Sequence, residues 1–292
     1  MSDAFVAARA LTKSFGKKTV LRDVTLEVRP GEVVGVLGKN GAGKTTLLEL
    51  ILGFTRPTSG SVEVFGSGSF SLPGAAKERI GFVPQQDELI NQLSGANQLK
   101  VVGSFYRNWD DSLIRRLSEA WEIELTEPIR QLSVGQRQKL SILTALGHHP
   151  DLLILDEPVA SLDPLARRQF LQQIIEISAD RRRAVIFSSH IVSDVERLAN
   201  KIWILRDQRL YWSGDIDNLK QSILRIHVRG SDTLPSSLAI PNAISFERQE
   251  NYATAVVHDW TSEVHEQVVR ETGAQLEIEP LGLEEIFLEL HR

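Results

Sequence analysis

The chain carries the stretch Gly38-Lys39-Asn40-Gly41-Ala42-Gly43-Lys44-Thr45, which fits the pattern G-x-x-x-x-G-K-T at every fixed position. The run Glu32–Leu37 before it predicts a buried strand, and Thr46–Leu52 after it has helical periodicity that stops at Gly53. Strand, glycine loop and helix, in this order, are the context in which the pattern binds phosphate. Loop N–H groups and the positive end of the helix dipole would face the same anion. A chance glycine loop is the weaker alternative.

Two side chains of this stretch have predicted roles at a bound nucleotide. The Lys44 ammonium is a mobile cation for the β- and γ-phosphates, and the Thr45 hydroxyl is placed to ligate Mg²⁺. The stretch therefore predicts a nucleotide site, and the other motifs of the chain are considered in relation to it.

The composition excludes several classes of protein. The 292 residues suit one large domain, or a domain of about 200 residues with a small appendage. A net charge of −5 without a long basic run does not indicate a nucleic-acid surface. The absence of cysteine excludes disulfides, thiolate metal sites and cysteine nucleophiles. Met1–Phe5 lacks a signal-peptide layout and no apolar run reaches ~18 residues, so we expect action on a membrane only through a partner.

The first part of the chain is predicted to form strands and turns. Pro30-Gly31 fits the centre of a type II turn that leads into the strand before the phosphate loop. Phe15 lies in a predicted turn, Ser14–Lys18, where its ring either stacks on an adenine or packs locally. Position alone leaves these alternatives equal. Gly66–Gly74 is predicted to be a loop, and Ile80–Val83 a strand that ends just before Gln85.

Residues 87–145 are predicted to be a helical insertion, because strand signals vanish there. Leu89–Phe105 and Leu113–Trp121 carry helical apolar spacing, with a helix start at Asn108–Asp111 between them. Predicted strands at 152–155, 184–187 and 201–205, all apolar except for Lys201, then alternate with predicted helices at 164–177 and 191–199. This alternation favours a parallel sheet that is covered on both faces.

Gly214 marks a predicted boundary, and residues 215–292 are predicted to be a small α+β appendage. Its predicted strands are 223–228, 244–247, 253–257 and 275–278, and its predicted helices are 263–272 and 283–290. Its histidines do not lie at metal-ligand spacing, so we expect them to be ordinary surface or packing residues.

Two carboxylates follow the apolar run 152–155, namely Asp156 and Glu157. The carboxyl ends of strands are where open α/β sheets bind ligands, so these residues are candidates for the nucleotide site. We expect Asp156 to hold Mg²⁺ through water and Glu157 to orient and polarise the attacking water. A solvated turn is the alternative, and the phosphate loop elsewhere in the chain weakens it.

The stretch Leu132-Ser133-Val134-Gly135-Gln136 predicts a helix start. Ser133 and Gln136 form an S-x-x-Q capping box ahead of the apolar positions 140, 143 and 146. A capped helix start with a serine hydroxyl and a glycine N–H is also an anion site. A second anion site suggests that one nucleotide is held from two sides.

These motifs together resemble the ATP-binding subunits of ABC transporters over about residues 4–214. The matching features, in the order and at the spacing of that family, are the phosphate loop 38–45, Gln85, Leu132–Gln136, Leu152–Glu157, Ser161-Leu162-Asp163 and His190. Phe105–Asp110 and Leu283–Glu289 are similar to stretches in ATPases that serve exporter-type permeases. One departure is Val134, because the family's signature usually has glycine there. The valine could loosen or reposition the contact.

The resemblance implies an α/β fold with a P-loop NTPase (RecA-like) core, an antiparallel β subdomain and an α-helical subdomain at about 87–145. These parts would form an ATPase domain at 1–214, followed by the C-terminal α+β appendage at 215–292. ATP and Mg²⁺ are the implied cofactors.

The resemblance also implies a role for each motif residue. The residues that would bind ATP are Phe15, Gly38, Lys39, Asn40, Gly41, Ala42, Gly43, Lys44, Thr45 and Thr46. Glu157, His190 and Gln85 would serve catalysis, and Thr45, Gln85 and Asp156 would hold Mg²⁺. The signature segment (Ser133, Val134, Gly135 and Gln136) would contact the ATP of the opposite subunit, and Asp163 would act across the dimer seam.

The predicted function is that of an ATP-hydrolysing motor subunit of a membrane exporter, working with a separate permease on the cytoplasmic face of the membrane. Two copies would close around two ATP molecules, although a related second chain is an open alternative to an identical one. The competing function is that of a non-transport ABC ATPase, of a DNA-repair or ribosome-acting type. Missing heptads, a single cassette and the charge of −5 disfavour it, and we expect no nucleic-acid partner. A small-molecule kinase would leave the signature segment and His190 unexplained.

Overall fold

The computed structural model describes residues 4–159, 162–230, 233–235 and 238–292. The chain divides into two compact units, Met1–Ser213 and Gly214–Arg292, and each is described by itself. None of the helices within the described residues has the length and apolarity needed to span a membrane.

The strands and helices are numbered in chain order. The strands are β1 Val6–Phe15, β2 Lys18–Val28, β3 Val33–Leu37, β4 Ser59–Val64, β5 Ser67–Gly68, β6 Ile80–Val83, β7 Leu152–Leu155, β8 Ala184–Ser188, β9 Lys201–Arg206, β10 Arg209–Asp215, β11 Ile223–Arg229, β12 Ala243–Arg248, β13 Tyr252–His258 and β14 Gln275–Pro280. The helices are α1 Lys44–Leu52, α2 Gly74–Lys77, α3 Gly95–Gly103, α4 Asp111–Ala120, α5 Val134–Leu146, α6 Pro164–Ala179, α7 Val192–Leu198, α8 Ile216–Ser222, α9 Ser262–Thr272 and α10 Leu283–Glu289.

The centre of the first unit is a sheet with the order β10-β9-β3-β8-β7-β6 in the described chain. The pairs β9·β3, β3·β8, β8·β7 and β7·β6 are parallel, as the continuous apolar runs predicted. Every residue of β3, β7 and β8 is buried. Helix α7 packs closely on β3 at Gly35, where a Cβ would come within 2.3 Å of Val195 Cγ1. Because the strands are parallel, their carboxyl ends meet at one edge of the sheet.

A second sheet, of order β2-β1-β4-β5 in the described chain, covers part of the first unit with antiparallel strands. Its β1–β2 hairpin turns at Gly16, which has a φ of +59°. The turn that leads out of β2 is closed by the Glu32 N–H, which donates to the Arg29 carbonyl over 3.2 Å. Gly31 at its third position has a φ of +84°, so the predicted type II turn is confirmed.

The segment between β6 and β7 is helical, but the prediction of a helix over Leu89–Phe105 was too long. Helix α3 begins only at Gly95, where the Ser94 hydroxyl accepts the Asn97 N–H over 3.3 Å. Residues before it form a turn, with the Leu93 N–H donating to the Ile90 carbonyl over 3.0 Å. Apolar spacing did not distinguish this half-buried turn from a helix. The start of α4 is as predicted, with Asp110 as its capping residue.

The far end of α5 is fixed to the central sheet by His148. Its Nε2–H donates to the Ile80 carbonyl over 3.1 Å, and the Tyr106 ring stacks on it with ring centres 4.0 Å apart. Within the described residues its Nδ1 is buried without a partner. Burial lowers the pKa of His148 from 6.5 to about 4, against the opposing effect of the Ile80 hydrogen bond. His148 is therefore neutral at physiological pH.

The second unit has an antiparallel sheet of order β12-β13-β11-β14 within the described residues. One face of this sheet forms an apolar core with α9, through residues that include Ile226, Ala255 and Val268. On β11, Arg225 pairs with Glu279 over 3.1 Å and with Glu285 of α10 over 3.3 Å. The predicted mixture of strands and helices in this part of the chain is confirmed.

Other details also differ from the sequence-based prediction. The predicted loop Gly66–Gly74 contains β5 and a 3-10 turn at Ser69–Ser71. Strand β10 and helix α8 were not predicted. The hairpin that connects β9 to β10 turns at Asp207 and Gln208, which have φ values of +50° and +67°. No glycine marks this turn, so the usual sequence signal for such a hairpin is missing.

Candidate active site

A pocket of about 400 Å³ opens at the carboxyl edge of the central sheet, over the phosphate loop. It brings together residues from four distant parts of the chain. Its lining residues are Lys18, Val20, Asn40, Gly41, Gly43, Lys44, Thr45, Thr46, Gln85 and Glu157. The sequence-predicted residues of the phosphate loop, the strand end at Gln85 and the acidic pair are thus represented around one cavity.

The glycines of the phosphate loop permit its tight course. Gly41 and Gly43 have φ values of +81° and +102°, which disfavour any residue with a side chain. A Cβ on Gly43 would also come within 2.8 Å of Leu21 Cδ2. Helix α1 begins directly after it, at Lys44. The N-terminal N–H groups of this helix have no earlier helical turn to bond, so they are available to an anion.

The Lys44 ammonium and the Glu157 carboxylate form a buried ion pair at the wall of the pocket. Lys44 Nζ lies 3.6 Å from Glu157 Oε1 and donates to the Gly38 carbonyl over 2.9 Å. The other oxygen, Glu157 Oε2, lies 2.7 Å from His190 Nδ1 and accepts the His190 backbone N–H over 3.2 Å. The side chains of Lys44 and Glu157 are 8% and 9% exposed, so little water screens their attraction. One carboxylate thus joins the phosphate loop to His190.

Glu157 also has an unusual backbone, with a φ of +50°. A residue with a side chain is disfavoured there by about 1–2 kcal/mol, so surrounding contacts must hold it. Its N–H donates to the Ser188 hydroxyl over 2.8 Å, and that hydroxyl donates to Asp156 Oδ1 over 2.6 Å. Asp156 itself is 2% exposed and is not among the residues described as lining the pocket. It lies behind Glu157 and is tied to β8.

The donor types at this edge suit Mg²⁺. Thr45 offers a hydroxyl, Gln85 an amide oxygen and Asp156 a carboxylate, and magnesium prefers oxygen ligands of these kinds. Thr45 and Gln85 line the pocket and are exposed. Thr45 and Gln85 therefore fit a magnesium ion beside a bound phosphate, whereas the buried Asp156 carboxylate is held behind the pocket wall by Ser188.

The signature segment occupies the start of α5. The Gln136 N–H donates to Ser133 Oγ over 3.3 Å and the Ser133 N–H donates to Gln136 Oε1 over 3.4 Å, so the predicted capping box is present. Ser133 is exposed, and the side chain of Val134 is 65% exposed. None of the four signature residues, all of which the structure describes, lines the phosphate-loop pocket. The predicted second anion site is therefore an exposed, capped helix start.

Phe15 lies at the edge of the β1–β2 hairpin with its side chain 51% exposed. Lys13 Nζ lies 4.6 Å from the centre of its ring. That ammonium also donates to Thr55 Oγ1 and to the Arg56 carbonyl, each over 2.7 Å. These contacts hold Lys13 against Phe15, and a large part of the ring remains accessible for stacking.

Asp163 begins α6, where its Oδ1 accepts the N–H groups of Leu165 and Ala166, each over 2.9 Å. The hydrogen bond from Ala166 is the largest of several contacts that lower the pKa of Asp163 below its usual value. The side chain is exposed. Ser161 of the same predicted motif lies outside the described residues.

Three residues at this edge escaped the sequence analysis. Lys18 and Val20 line the pocket because β2 passes beside the phosphate loop, and this proximity depends on the tertiary fold. Ser188 contacts both acidic residues from the neighbouring strand. The only sequence feature that pointed to Ser188 as a site residue was its position two residues before His190.

Comparisons with known proteins indicate a family for this chain. The profile of the family described as "ABC transporter" matches residues 21–160. The chain is 28% identical to the ABC transporter ATP-binding protein YtrB of Bacillus subtilis over 97% of each chain. It is 31% identical to Nod factor export ATP-binding protein I of Cupriavidus pinatubonensis, over 98% of this chain and 90% of that protein. A solved dimer of the ATP-binding cassette MJ0796, in a post-hydrolysis state bound to ADP and Pi, matches 72% of this chain and 98% of its own, with a TM-score of 0.64 and 25% identity.

Proposed function

The chain belongs to the ABC transporter family as an ATP-binding, ATP-hydrolysing subunit, and we propose that it is the motor of an exporter, acting as a dimer with a separate permease. The observation that carries this proposal is that the motif residues lie in two separate places. The phosphate loop, Gln85 and Glu157 share one pocket, whereas the signature segment stands exposed at the start of α5.

Within the pocket, Glu157 is the proposed base for the attacking water. Its carboxylate is already oriented by Lys44 on one oxygen and by His190 on the other. Phosphate oxygens entering the loop would attract the Lys44 ammonium, which would free one carboxylate oxygen to accept a proton from water. His190 would then hold the carboxylate and hydrogen-bond the γ-phosphate. These steps use the Lys44, Glu157 and His190 side chains, and Glu157 already contacts the other two.

Thr45, Gln85 and Asp156 would hold Mg²⁺, which supplies charge neutralisation for the β- and γ-phosphate oxygens when bound. Phe15 would stack on the adenine, and Thr46 with residues 38–45 would surround the phosphates. Gln85 would also report the state of the pocket to the permease, because it stands between β6 and the helical segment.

The signature segment supports a head-to-tail dimer. Ser133 and the Gly135 N–H would contact the γ-phosphate that the other copy holds, and Asp163 would act across the same seam. Two such contacts are related by a two-fold axis, as in most dimers of identical chains. The γ-phosphate would stabilise only the closed dimer, so its loss would reopen it. The solved dimer of the ATP-binding cassette MJ0796 supports this proposed arrangement.

The proposed permease would bind the helical segment on the side of α3. Val101 of α3 and Phe105, two residues after its end, are 41% and 74% exposed, and Ile90, five residues before α3, is 46% exposed. Such apolar exposure favours a protein partner. The relative named for Nod factor export supports the outward direction of transport. The subunit would then lie on the cytoplasmic face of the membrane.

Sedimentation of the purified chain with Mg·ATP tests the dimer. Glu157→Gln should block hydrolysis while the closed dimer persists, so this variant should sediment as a dimer with ATP and as a monomer with ADP. The wild type should show only a transient dimer. If the variant stays monomeric with ATP bound, the identical-chain dimer is wrong and a related second chain must be sought.

A further inference from the structure

Ser188, at the last position of β8, is completely buried and lies between the two acidic residues of the site. Its hydroxyl donates to Asp156 Oδ1 over 2.6 Å and accepts the Glu157 N–H over 2.8 Å. The direction of both bonds is fixed, because a carboxylate oxygen accepts and a backbone N–H donates. The single hydroxyl therefore connects the side chain of one acid to the backbone of the next.

We infer that Ser188 is a positioning residue for ATP hydrolysis, holding the backbone turn that presents the Glu157 carboxylate while it fixes the Asp156 side chain. This inference rests on the roles proposed above for those two acids. In this inference a residue of β8, outside the sequence motifs, positions the two acids.

The backbone of Glu157 explains why such a contact is needed. Its φ of +50° is a disfavoured conformation that would relax if the N–H lost its partner. In the present conformation the carboxylate reaches both Lys44, at 3.6 Å, and His190, at 2.7 Å. Relaxation of the turn would move the carboxylate away from at least one of these partners.

The position of β8 explains why Ser188 can make this contact. β8 is paired in parallel with β7 on one side and with β3 on the other. Since Leu155 lies opposite Phe187, the next residues along the two strands are Asp156 and Ser188. β3 leads into the phosphate loop and β7 into the acids, so β8, which ends at Ser188, lies between the strands that carry these two parts of the site.

The first arm of the test measures amide hydrogen exchange by NMR on the full chain without ATP or Mg²⁺. Ser188→Ala should make the Glu157 amide exchange about 10-fold faster or more, since a buried hydrogen bond of ordinary strength is lost. The Asp156 amide donates to the Val83 carbonyl over 2.9 Å, so its exchange should stay unchanged as an internal control. An unchanged rate at Glu157 would overturn the inference without reference to any activity.

The second arm measures steady-state ATPase kinetics. Ser188→Ala should lower kcat by about 10-fold or more with little change in KM for ATP, because the contact orients reacting groups and touches no substrate. Ser188→Thr keeps the hydroxyl and should restore most of kcat, and Ser188→Cys, with its weak donor, should fall between. Ser118→Ala removes another buried hydroxyl, one that donates to the Arg115 carbonyl over 2.9 Å in α4, and should leave kcat unchanged.

The outcomes separate the inference from the proposed function. If the wild type hydrolyses ATP and Ser188→Ala does so at the same kcat, only the positioning role is wrong. A parallel loss in kcat and thermal stability that Ser188→Thr and Ser188→Cys fail to reverse would also overturn it. If the wild type is no faster than Glu157→Gln, the proposed function fails and the positioning role fails with it.

Discussion

The phosphate-loop pocket and the signature segment differ in how far each is complete within one chain. At the wall of the pocket, the Glu157 carboxylate contacts both Lys44 and His190, and the side chains of Lys44 and Glu157 are almost fully buried. At the start of α5, Ser133 and Gln136 form the capping box with each other, Ser133 is exposed, and the Ser133 carbonyl accepts the first helical N–H, that of Arg137. The first region is held by contacts between buried groups of one chain, whereas the second is an exposed helix start.

We propose from this difference that the pocket serves ATP hydrolysis and the signature segment serves dimer formation. Buried, mutually bonded groups keep a fixed geometry, which acid–base chemistry requires. An exposed helix start contributes binding energy only when an anion is brought to it. Variants in the two regions should therefore separate hydrolysis from dimer formation.

The largest expected effect comes from Glu157→Gln. We expect kcat for ATP hydrolysis to fall by about 100-fold or more, because an amide cannot take a proton from water. ATP binding, measured by equilibrium dialysis, should persist. Glu32→Gln is a matched control, because that carboxylate pairs with Lys201 over 2.6 Å at the other end of β3. A rate within a few-fold of wild type for Glu157→Gln would place the base elsewhere.

An intermediate effect concerns the far end of the signature helix, where His148 is buried. Its pKa of about 4 lies below its unfolded value of 6.5, so the unfolded state binds more protons between these pH values. The free energy of unfolding should therefore fall by about 3 kcal/mol as pH drops from 6.5 to 4, and this contribution is fully present above 6.5.

The variant His148→Gln keeps a donor for the Ile80 carbonyl but cannot be protonated in this range. Urea unfolding of this variant at several pH values should show a flatter acid slope than the wild type. An unchanged slope in His148→Gln would show that other groups cause the acid loss.

The smallest expected effect concerns Val134, whose exposed side chain stands where the resembling family usually has glycine. Val134→Gly should tighten the ATP-dependent dimer of the Glu157→Gln background by a few-fold, since nucleotide could approach the helix start more closely. Val134→Ala should lie between the two in sedimentation equilibrium. A weaker dimer in both variants would mean that the valine packs against the partner.

The parts of the site that are local in sequence were predictable, and the parts that depend on packing were not. The glycine loop before α1 and the capping box at Ser133 are patterns of neighbouring residues with a direct structural meaning. Lys18 and Ser188 reach the site only because β2 and β8 lie beside other strands, which no spacing records. The residues before α3 were predicted to be helical because a half-buried turn can carry the same apolar spacing as a helix.

The central claim, that each site combines the pocket of one copy with the signature segment of another, is tested most directly by mixing two inactive variants. Ser133→Arg blocks the signature segment and keeps the pocket, whereas Lys44→Ala breaks the pocket and keeps the signature segment. Thermal unfolding of each variant checks that it is folded, since Lys44→Ala removes the ammonium that lies 3.6 Å from the buried Glu157 carboxylate.

Each variant alone should hydrolyse ATP at background rate. An equal mixture should recover up to about a quarter of wild-type activity, because half of the dimers are mixed and each keeps one intact site of two. No recovery in the mixture, with both variants folded and able to exchange subunits, would contradict a site shared between two copies of this chain.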